Sequence, residues 1–363
     1  MDPLVTISIL SYNDEATIET AVKSAALQLW PRIELIVFDN NSKDNTKRLL
    51  AGMKERLPGL RSAHLSAHGV ENAEFRFHIL ESKENIGFAP GHNRIIAMAK
   101  GEYVLLLNSD AGLDDNFLKN AMRVFAGDER IAAVQGKLYR LDPDTEEPRV
   151  DEATKKPIID TTGLLMLKNR RIINRGQGTP DTGMYDRQEE IFGADGAAPL
   201  YRKTSLEDVK ICLGARCEYL DEDFFSYKED VDLAWRLRLA GWKAVYAPDA
   251  VGYHQRGSGE SAATSYIAIM GERRRLSKLS KYHAFKNQRL MQAKNDMPSL
   301  LAKHFFRWFP KEIGSWFYVL AFERYTWRAF GRMLRLLPKM LRKRRVIMKS
   351  RKVSAKDMER WFN

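Results

Sequence analysis

Residues 5–39, with the sequence VTISILSYNDEATIETAVKSAALQLWPRIELIVFD, decide the fold of this chain. Apolar residues alternate with polar ones in residues 5–9, a pattern typical of a strand. They then recur at helical spacing in residues 18–29. Residues 33–38 are an apolar run rich in β-branched residues, which is typical of a buried strand. Strand, helix and strand in this order predict a parallel β-α-β unit.

Further strands and helices extend the same alternation along the chain. Helical spacing predicts helices over residues 49–57 and 114–125, and residues 103–107 form another buried strand. The pattern returns with a helix over residues 229–238 and a strand at residues 243–247. We therefore expect an α/β fold with a mostly parallel sheet flanked by helices. Such sheets bind ligands in the crevice beyond the carboxyl ends of their strands.

The charge of the chain is unevenly distributed. The 363 residues carry a net charge of +12. Residues 260–363 hold 25 Lys and Arg against 7 Asp and Glu, a net charge of +18, whereas residues 1–259 have a net charge of −6. We expect an α/β domain over residues 1–260 and a helical, basic region over residues 261–363. An excess of this kind indicates an anionic partner: nucleic acid, an anionic membrane surface or a phosphorylated substrate.

Two other features narrow the class of protein. Cys212 and Cys217 alone argue against a disulfide scaffold, and we interpret both as ordinary residues of a reduced, cytoplasmic protein. We expect no signal peptide, because the start of the chain lacks a basic region and a long apolar run. The apolar stretch of residues 313–322 is too short for a bilayer core that needs about 20 residues. A transmembrane helix is therefore not expected.

Acidic residues follow two of the predicted strands. Asp39 ends the run of residues 33–38, and a carboxylate there can accept the imide N–H of a uracil or thymine. The alternative is an Asp that only forms a turn. Asp110 follows residues 103–107, where a carboxylate is well placed to hold Mg²⁺ or Mn²⁺ against a diphosphate. Its alternative is an Asp that caps the next loop.

Three more segments carry possible chemistry. The loop NIGFAPGHN at residues 85–93 contains glycines and opens a helix, which favours anions, although a plain loop has the same pattern. The acidic run DEDFFSYKEDVD at residues 221–232 clusters like charges, which raise the proton affinity of a general base. Aromatic residues interrupt this run, so a purely solvated face is less expected. His254 follows a predicted strand and is a possible metal ligand, although a lone His is more often structural.

Taken together, these segments resemble the inverting glycosyltransferases of family 2, which have the GT-A fold. The match covers roughly residues 4–260. Its motifs resemble those of the rhamnosyltransferase-like branch and occur in order: VTISILSYN (residues 5–13), ELIVFDNNSKDNT (34–46), NIGFAPGHN (85–93) with LLLNSD (105–110), FGADGAA (192–198), and DEDFFSYKEDVDLAWR (221–236) followed by Gly241-Trp242 and His254. The usual DxD motif is here Asn108-Ser109-Asp110, with one carboxylate fewer.

The resemblance implies a role for each matching residue. Asp230 is implied as the general base with Glu229 beside it, and Asp110 and His254 as ligands of Mg²⁺ or Mn²⁺ on the diphosphate. Asp195 and Arg202 are implied on the acceptor side. Asp39 is implied to contact the nucleobase. The other residues implied in nucleotide-sugar binding are Ser11, Asn13, Asn85, Gly87, Asn93, Asn108 and Ser109.

The basic region predicts contact with a membrane. Apolar residues at 313, 316, 317 and 320 share one helical face, those at 330, 333, 334, 337 and 341 share another, and Lys and Arg surround them. Basic helices with aromatic residues suit an anionic membrane surface. The alternative is a helical cap on the catalytic domain, and both can hold at once. The resemblance implies a polyprenyl-diphosphate-linked glycan as acceptor. We therefore expect a peripheral protein on the cytoplasmic face of the cell membrane.

The preferred hypothesis is transfer of L-rhamnose from dTDP-rhamnose in the synthesis of a bacterial cell-surface polysaccharide. Another nucleotide-sugar, such as a UDP-sugar, remains an alternative within the same fold. A second class is a nucleic-acid-binding protein with a basic tail, but the chain has no recognised nucleic-acid module and its basic segment is amphipathic. A third hypothesis, an inactive sugar-nucleotide binder, conflicts with the intact Asp39, Asp110, Asp230 and His254.

Overall fold

The computed structural model describes residues 2–142, 144, 145, 147–256 and 266–363. The expected boundary at residues 260 and 261 lies outside the described residues. The strands are β1 Val5–Ser11, β2 Arg32–Asp39, β3 Glu74–Glu81, β4 Tyr103–Asn108, β5 Ala111–Leu113, β6 Ile131–Arg140, β7 Ile159–Thr161, β8 Leu164–Met166, β9 Ile172–Asn174, β10 Glu189–Ile191, β11 Leu200–Arg202, β12 Ile211–Leu213, β13 Arg216–Glu218 and β14 Lys243–His254. The helices are α1 Ile18–Ala26, α2 Thr46–Ala67, α3 Phe88–Met98, α4 Phe117–Phe125, α5 Lys203–Val209, α6 Glu229–Leu239, α7 Tyr266–Arg275, α8 Lys278–Asn295, α9 Pro298–Lys303, α10 Phe305–Phe322, α11 Trp327–Lys349 and α12 Ala355–Glu359.

One large sheet organises the molecule, as the alternation of strands and helices predicts. Its strand order is β10-β14-β6-β11-β4-β1-β2-β3, with β5 paired to β14 and β7 paired to β6. The pairs formed by β1, β2, β3 and β4 are parallel, as is the pair of β14 and β6. Strand β11 runs antiparallel between β4 and β6. The expected α/β fold with a mostly parallel sheet is confirmed.

Both faces of the sheet are covered, which explains its apolar strands. Residues of α1, α2 and α4 pack on one face, and residues of α3, α5 and α6 pack on the other. The polar residues of β1 are buried too. Thr6 donates a hydrogen bond to Glu34 Oε2 at 2.6 Å, and Ser8 bonds His92 Nδ1 at 2.8 Å. The alternation seen in residues 5–9 therefore marks two buried faces rather than one wet face.

The C-terminal helices share a core with the sheet domain. Apolar residues of α8, α11 and α12 pack with residues of β8, β9 and α6 in one buried cluster. The ring of Trp235 on α6 meets the ring of Phe362 edge to face at 6.3 Å. The chain end continues this contact, because Asn363 N donates to Met166 O at 2.9 Å. The helical cap, one of the two interpretations of the basic region, is thus present in the structure.

Two expectations about the chain meet the structure directly. Cys212 and Cys217 are opposite each other in the β12–β13 hairpin and form a disulfide, so the expectation of two reduced cysteines is wrong. Residues directly opposite each other on two strands have Cβ atoms close enough for their sulfur atoms to form a disulfide. The spacing of the two cysteines in the sequence did not reveal this pairing. Among the described helices, none combines the length and apolar character that crossing a bilayer requires.

Candidate functional site

The carboxyl ends of several strands bring the expected residues to one edge of the sheet. Ser11 on β1 is the register partner of Asp39 on β2, and Leu10 is the partner of Asn108 on β4. His254 at the end of β14 pairs with the start of β5, directly after Asp110. Residues far apart in the chain therefore meet in the crevice that the topology predicts.

Asp39 forms the floor at the β1–β2 side of this crevice. Its side chain is buried, and it accepts from the amide of Ser42 at 3.2–3.3 Å, while Lys47 Nζ lies 3.6 Å away. Asn13 has a positive φ of 58°, which Asn tolerates better than most residues, and its Oδ1 accepts from the amide of Lys43 at 2.7 Å. The β1 turn and the loop after β2 are thus tied together around Asp39.

The loop that opens α3 is fixed by amide hydrogen bonds. Asn85 Oδ1 accepts from Asn40 Nδ2 at 2.9 Å and from the amide of Gly87 at 3.0 Å. Gly87 has a φ of +94°, and a Cβ there would lie 2.5 Å from Cδ2 of Phe225. Only glycine meets both conditions, so this loop and Phe225 are built to touch.

Asn93 does not face the crevice. Its side chain is buried, with Nδ2 donating to Leu220 O at 2.8 Å and to Glu222 Oε1 at 3.1 Å, while Oδ1 accepts from the amide of Leu220 at 2.8 Å. These bonds use both amide hydrogens and the carbonyl oxygen. The expected contact of Asn93 with a nucleotide-sugar is therefore corrected to a structural contact that anchors the segment before the acidic run.

Asp110 and His254 lie side by side at the centre of the edge. His254 Nε2 is 3.2 Å from Asp110 Oδ1 and 3.4 Å from Asn108 Nδ2. On the other side of the ring, His254 Nδ1 is 2.9 Å from Asp160 Oδ2. Burial lowers the pKa of His254, but Asp110 and Asp160 outweigh it and raise the pKa to about 10. A proton is thus held strongly at a position where two anionic groups would also attract a cation.

This set of atoms fits a divalent cation. Asn108 Oδ1 is buried and has no hydrogen-bond partner within the described part of the chain. Together with the Asp110 carboxylate and His254 Nε2, it offers oxygen and imidazole ligands of the kind that Mn²⁺ and Mg²⁺ accept. Asp160 supplies the carboxylate that orients a metal-binding His, and Arg256 holds Asp160 through bonds of 2.6 and 2.9 Å.

Sequence reasoning missed Asp160 and Arg256. Asp160 carries no recognisable motif, since it lies on the three-residue strand β7 and reaches the site only because β7 pairs with β6. Arg256 follows His254 by two residues, and that proximity was the one available signal. Asp14 also belongs here, because it accepts from Ser11 Oγ at 3.0 Å and from the side chain of Ser109.

Asp195 and Asp230 also line the site. The amide of Gly196 donates to Asp230 Oδ2 at 3.1 Å, and Arg256 Nη2 lies 3.7 Å from Asp195 Oδ2. A Cβ at position 196 would approach Asp230 Cβ to 3.2 Å, so a small residue is needed there. Burial, and then the charge of Asp195, raise the pKa of Asp230 to about 6. A carboxylate with this pKa is ionised at neutral pH and accepts a proton more readily than an ordinary Asp.

Glu229 is buried beside Asp230. Its Oε2 has no hydrogen-bond partner among the residues that the structure describes. Burial, and then the charge of Asp230, raise its pKa to about 8. Glu229 is therefore mainly protonated at neutral pH, which leaves Asp230 as the carboxylate that can act as a base.

A strained segment leads into these two residues. Phe225, Tyr227 and Lys228 have φ values of 68°, 72° and 75°, although none is glycine. Each such residue costs on the order of 1–3 kcal/mol, and strain of this kind is concentrated at functional sites. Helix α6 then begins at Glu229, so the strained segment sets where the two carboxyl groups point.

A cavity of about 250 Å³ lies between these groups. Asn108 and His254 line it, together with Asp195 and Asp230. Its apolar lining includes Leu164 of β8, Ile172 and Ile173 of β9, Ala284 of α8, and Leu276, which lies between α7 and α8. Two of the three candidate metal ligands thus share one cavity with the candidate base.

Arg202 lies far from this cavity, so its expected place on the acceptor side is wrong. It pairs with Tyr103 at the start of β4, whereas Asp110 follows the end of that strand. Six residues of strand separate the two by roughly 20 Å. Arg202 instead donates to Ile131 O at 3.0 Å and to the hydroxyl of Tyr103 at 3.0 Å. Arg202 lies there because β11 runs antiparallel to β4, so that the end of β11 lies beside the start of β4.

The acidic run is neutralised by the C-terminal helices. Lys343 Nζ on α11 contacts Glu218, Asp221 at 2.6 Å and Asp223 at 2.8 Å. Lys294 Nζ on α8 contacts Asp221 and lies 2.9 Å from Asp232. All these groups except Asp223 are buried. The acidic run is therefore an internal ion-pair network and not a solvated face.

Comparison with known proteins identifies the family. Residues 6–209 match the family model described as "Glycosyl transferase family 2". A poly-β-1,6-N-acetyl-D-glucosamine synthase of Staphylococcus epidermidis is 23% identical over 251 residues, which cover 68% of this chain and 48% of that protein. The synthase of Staphylococcus aureus (strain COL) is 24% identical with the same coverage. The chain thus spans about half the length of the curated relatives that it matches.

Solved structures show the same fold. A structure of S. aureus TarS residues 1–349 has a TM-score of 0.52 and 15% identity, covering 96% of this chain and 88% of that one. The TarS complex with UDP-GlcNAc has a TM-score of 0.52 and 16% identity, covering 96% and 89%. GalNAc-T7 with UDP, GalNAc and Mn²⁺ has a TM-score of 0.50 and 13% identity, covering 87% and 57%. At these identities the likeness concerns the GT-A fold alone.

Proposed function

Because the chain belongs to glycosyl transferase family 2 and is a glycosyltransferase, we propose that it inverts the anomeric carbon of its donor sugar in a single displacement. One observation carries this proposal: the ionisable Asp230, Asn108 and His254 line the same 250 Å³ cavity, and Asp110 Oδ1 lies 3.2 Å from His254 Nε2. A general base and a site for a departing diphosphate must lie on opposite sides of the reacting carbon, and a single cavity lined by both kinds of group allows a sugar to be bound between them.

In the proposed reaction, Asp230 accepts the proton of an acceptor hydroxyl. The hydroxyl oxygen then forms a bond to the anomeric carbon as the bond from that carbon to the diphosphate oxygen breaks, and the nucleoside diphosphate leaves with the electron pair. The Gly196 amide orients the Asp230 carboxylate, and Asp195 raises its proton affinity. A single displacement of this kind needs no nucleophile from the protein.

Asp110, His254 and Asn108 Oδ1 would hold a divalent cation, which we propose to be Mg²⁺ or Mn²⁺. When bound, the cation supplies positive charge against the leaving diphosphate. Asp160 keeps His254 Nδ1 engaged, so that Nε2 faces the cation site. Removing the metal with EDTA should abolish transfer, and Mn²⁺ or Mg²⁺ should restore it; activity that persists in EDTA at full rate would contradict the metal site.

For the donor we propose dTDP-L-rhamnose, with Asp39 on the nucleobase and Ser11, Asn13, Asn85, Gly87 and Ser109 around the nucleotide. The motif pattern of the rhamnosyltransferase-like branch supports this choice. The alternative is a UDP-sugar, which gains support from the TarS complex with UDP-GlcNAc and from the poly-GlcNAc synthases. Both donors carry a pyrimidine with an imide N–H, and a carboxylate at Asp39 suits either base.

For the acceptor we propose a polyprenyl-diphosphate-linked glycan in the synthesis of a bacterial cell-surface polysaccharide. The experiment is transfer from a panel of dTDP-, UDP- and GDP-sugars to a polyprenyl-diphosphate-GlcNAc acceptor, followed by mass spectrometry of the product. Rhamnosyl transfer from dTDP-rhamnose is the expected result. Transfer from a UDP-sugar alone would replace the donor, and absence of transfer from every donor and acceptor would refute the proposal.

We further propose peripheral binding to the cytoplasmic face of the membrane through one face of α10 and α11. Large apolar side chains are exposed along this face, and Phe306 is 87% and Phe317 is 69% exposed. The exposed members of this aromatic face are Phe306, Phe309, Ile313, Phe317, Leu320, Trp327, Phe330, Leu334 and Leu341. The face combines apolar side chains with the basic residues of α11, which suits an anionic lipid surface better than the phosphate backbone of nucleic acid.

Vesicle binding tests this surface. The double variant Phe306→Ser, Phe317→Ser should sediment less with vesicles that contain an anionic lipid, while Met184→Ser should behave as the unaltered protein. Met184 is 76% exposed but lies on another part of the molecule, so it controls for loss of an exposed apolar side chain. Equal binding by all three proteins would exclude the aromatic face as the membrane contact.

A further inference from the structure

Helix α8 holds the backbone of the strained segment that precedes the carboxyl pair. The amide of Asn287 is fully buried, and its Nδ2 lies 3.1 Å from Phe224 O, 2.8 Å from Ser226 O and 2.7 Å from Tyr227 O. One side chain on a distant helix thus contacts three carbonyls within four residues. The NH2 group has two hydrogens, which the carbonyls of Ser226 and Tyr227 accept at the shorter distances, while Phe224 O lies near enough to share one of them.

Other residues on the same helix extend this contact. His283 Nδ1 lies 3.1 Å from Phe224 O, and the His283 ring stacks on the ring of Phe225 with centroids 5.4 Å apart. Lys286 Nζ donates to Asp223 O at 2.8 Å, and Ser280 Oγ is 2.8 Å from the hydroxyl of Tyr227. We call the four residues of α8, Ser280, His283, Lys286 and Asn287, the α8 bracket.

The α8 bracket supplies hydrogen-bond donors to buried carbonyls of the strained segment. With positive φ values at Phe225, Tyr227 and Lys228, the carbonyls of residues 223–227 cannot bond as in a helix or sheet. A buried carbonyl without a donor is costly, and a strained conformation persists only when its surroundings over-determine it. The donors of α8 supply both the hydrogen bonds and the constraint.

The segment connects the carboxyl pair to the loop that opens α3. At its end it passes directly into Glu229 and Asp230. In its middle, Phe225 O accepts from the amide of Ala89 at 3.2 Å, and the Phe225 ring abuts Gly87. The position of the base relative to the loop that opens α3 therefore depends on the shape of this segment.

We propose that Asn287, together with His283, is a positioning residue that holds the segment of residues 223–228 in its strained shape and thereby places the carboxylate of Asp230 in the cavity. This inference rests on the proposed role of Asp230 as the general base. It assigns to the C-terminal helices a part in building the site, in addition to covering it.

The test replaces Asn287 with Leu and compares it with Asn295→Leu. Asn295 is also a fully buried Asn of α8, but its Nδ2 donates at 2.7 Å to the side chain of Asp232, which Arg236 and Lys294 also hold. We expect Asn287→Leu to lower kcat about 100-fold, the scale of an ångström-sized misplacement, with the donor KM within threefold. Asn295→Leu should keep kcat within threefold, even where its melting temperature falls.

A readout independent of turnover accompanies the kinetics. Amide hydrogen exchange in residues 223–230 should increase in Asn287→Leu, and it should remain unchanged there in Asn295→Leu. A kcat for Asn287→Leu equal to that of the unaltered protein would overturn the inference, as would equal exchange in the two variants. If the unaltered protein transfers no sugar, the proposed function fails, and the exchange result still decides whether α8 holds the segment.

A second pair of variants decides the matter if Asn287→Leu does not fold. In His283→Asn an amide N–H can take the place of Nδ1–H, whereas His283→Leu removes the donor. We expect His283→Asn to retain kcat within threefold and His283→Leu to lose at least tenfold, with an unchanged donor KM in both. Equal kcat values in the two variants would refute the positioning role.

Discussion

The substitution Asp230→Asn tests the base directly, because it preserves the shape of the side chain and an acceptor for the Gly196 amide. The change removes only the basic oxygen. General base catalysis contributes about 10²- to 10⁴-fold. We therefore expect kcat to fall about 10³-fold, while the donor KM stays within threefold because the proposed nucleotide contacts lie at the ends of β1, β2 and β4 and in the loop before α3. Asp144→Asn, a change of an exposed loop residue, serves as the matched control.

The pH profile adds a second, independent signature of the same group. The pKa of Asp230 is raised to about 6, and its active form is the carboxylate. Activity is therefore present above pH 6 and is lost as the pH falls through 6, by about tenfold for each further pH unit. This acid limb should disappear from the residual activity of Asp230→Asn. Since the charge of Asp195 helps to raise this pKa, Asp195→Asn should move the limb to lower pH.

The assay is the initial rate of sugar transfer between pH 5 and pH 9, with product quantified by mass spectrometry so that no coupling enzyme limits the pH range. Two results would refute the reasoning. The first is a rate for Asp230→Asn above a third of that of the unaltered protein. The second is an acid limb that persists unchanged in Asp230→Asn, which would assign the titrating group to another residue.

Three further predictions follow from buried groups. Lys343→Met removes the cation that contacts the buried Glu218 and one of the two that contact Asp221, and it should destabilise the fold by about 3–5 kcal/mol, whereas the exposed Lys349→Met should leave the thermal unfolding midpoint unchanged. Burial raises the pKa of Glu229 from 4.5 to about 8, so the folded state binds the extra proton and stability falls as the pH rises between these values. Glu229→Gln should therefore raise the melting temperature at pH 8.5 and have little effect at pH 4.5; an equal effect at both would contradict the burial of its charge. Gly87→Ala should lower the melting temperature and the rate of transfer, because its Cβ would collide with Phe225, and unaltered values of both would refute that contact.

The repeating part of the fold could be predicted from the sequence. The apolar run of residues 33–38 became β2 Arg32–Asp39, and residues 103–107 became β4 Tyr103–Asn108. Both strands lie inside a parallel sheet that is covered on its two faces, so local composition alone marks them. The ends of these strands then fixed the places of Asp39 and Asp110, because parallel strands bring their carboxyl ends to one edge.

The other parts of the site depend on long-range pairing that local patterns do not contain. Strands β7 to β11 have three residues each, which is too short for a readable period. Asp160 and Arg202 both lie on such strands. The pairing of β7 with β6 brings Asp160 to His254, while the reversed direction of β11 takes Arg202 to the far edge. In neither case does the neighbouring sequence indicate the outcome.

The net charge of the C-terminal segment overstates the charge that is available to a partner outside the molecule. A net charge of +18 suggests a partner outside the molecule, yet part of this charge faces inward. Five of its cations pair with acidic residues that precede residue 260: Lys294, Lys339, Lys343, Lys352 and Arg360. The buried acidic run, which includes the strained segment, therefore neutralises part of this positive charge within the molecule.

The exposed positive charges of α11 are the ones that can still contact a membrane. Arg328, Arg335, Arg342 and Arg345 are exposed and form no ion pair with any described residue. They share α11 with Trp327 and Phe330 of the aromatic face. The same helix thus presents two cations, Lys339 and Lys343, to the acidic run beside the site and several others to solvent. If α11 docks on a lipid surface as proposed, the site lies next to that surface, because α11 packs directly on the acidic run beside the site. An acceptor with a lipid anchor would then approach the base without leaving the membrane.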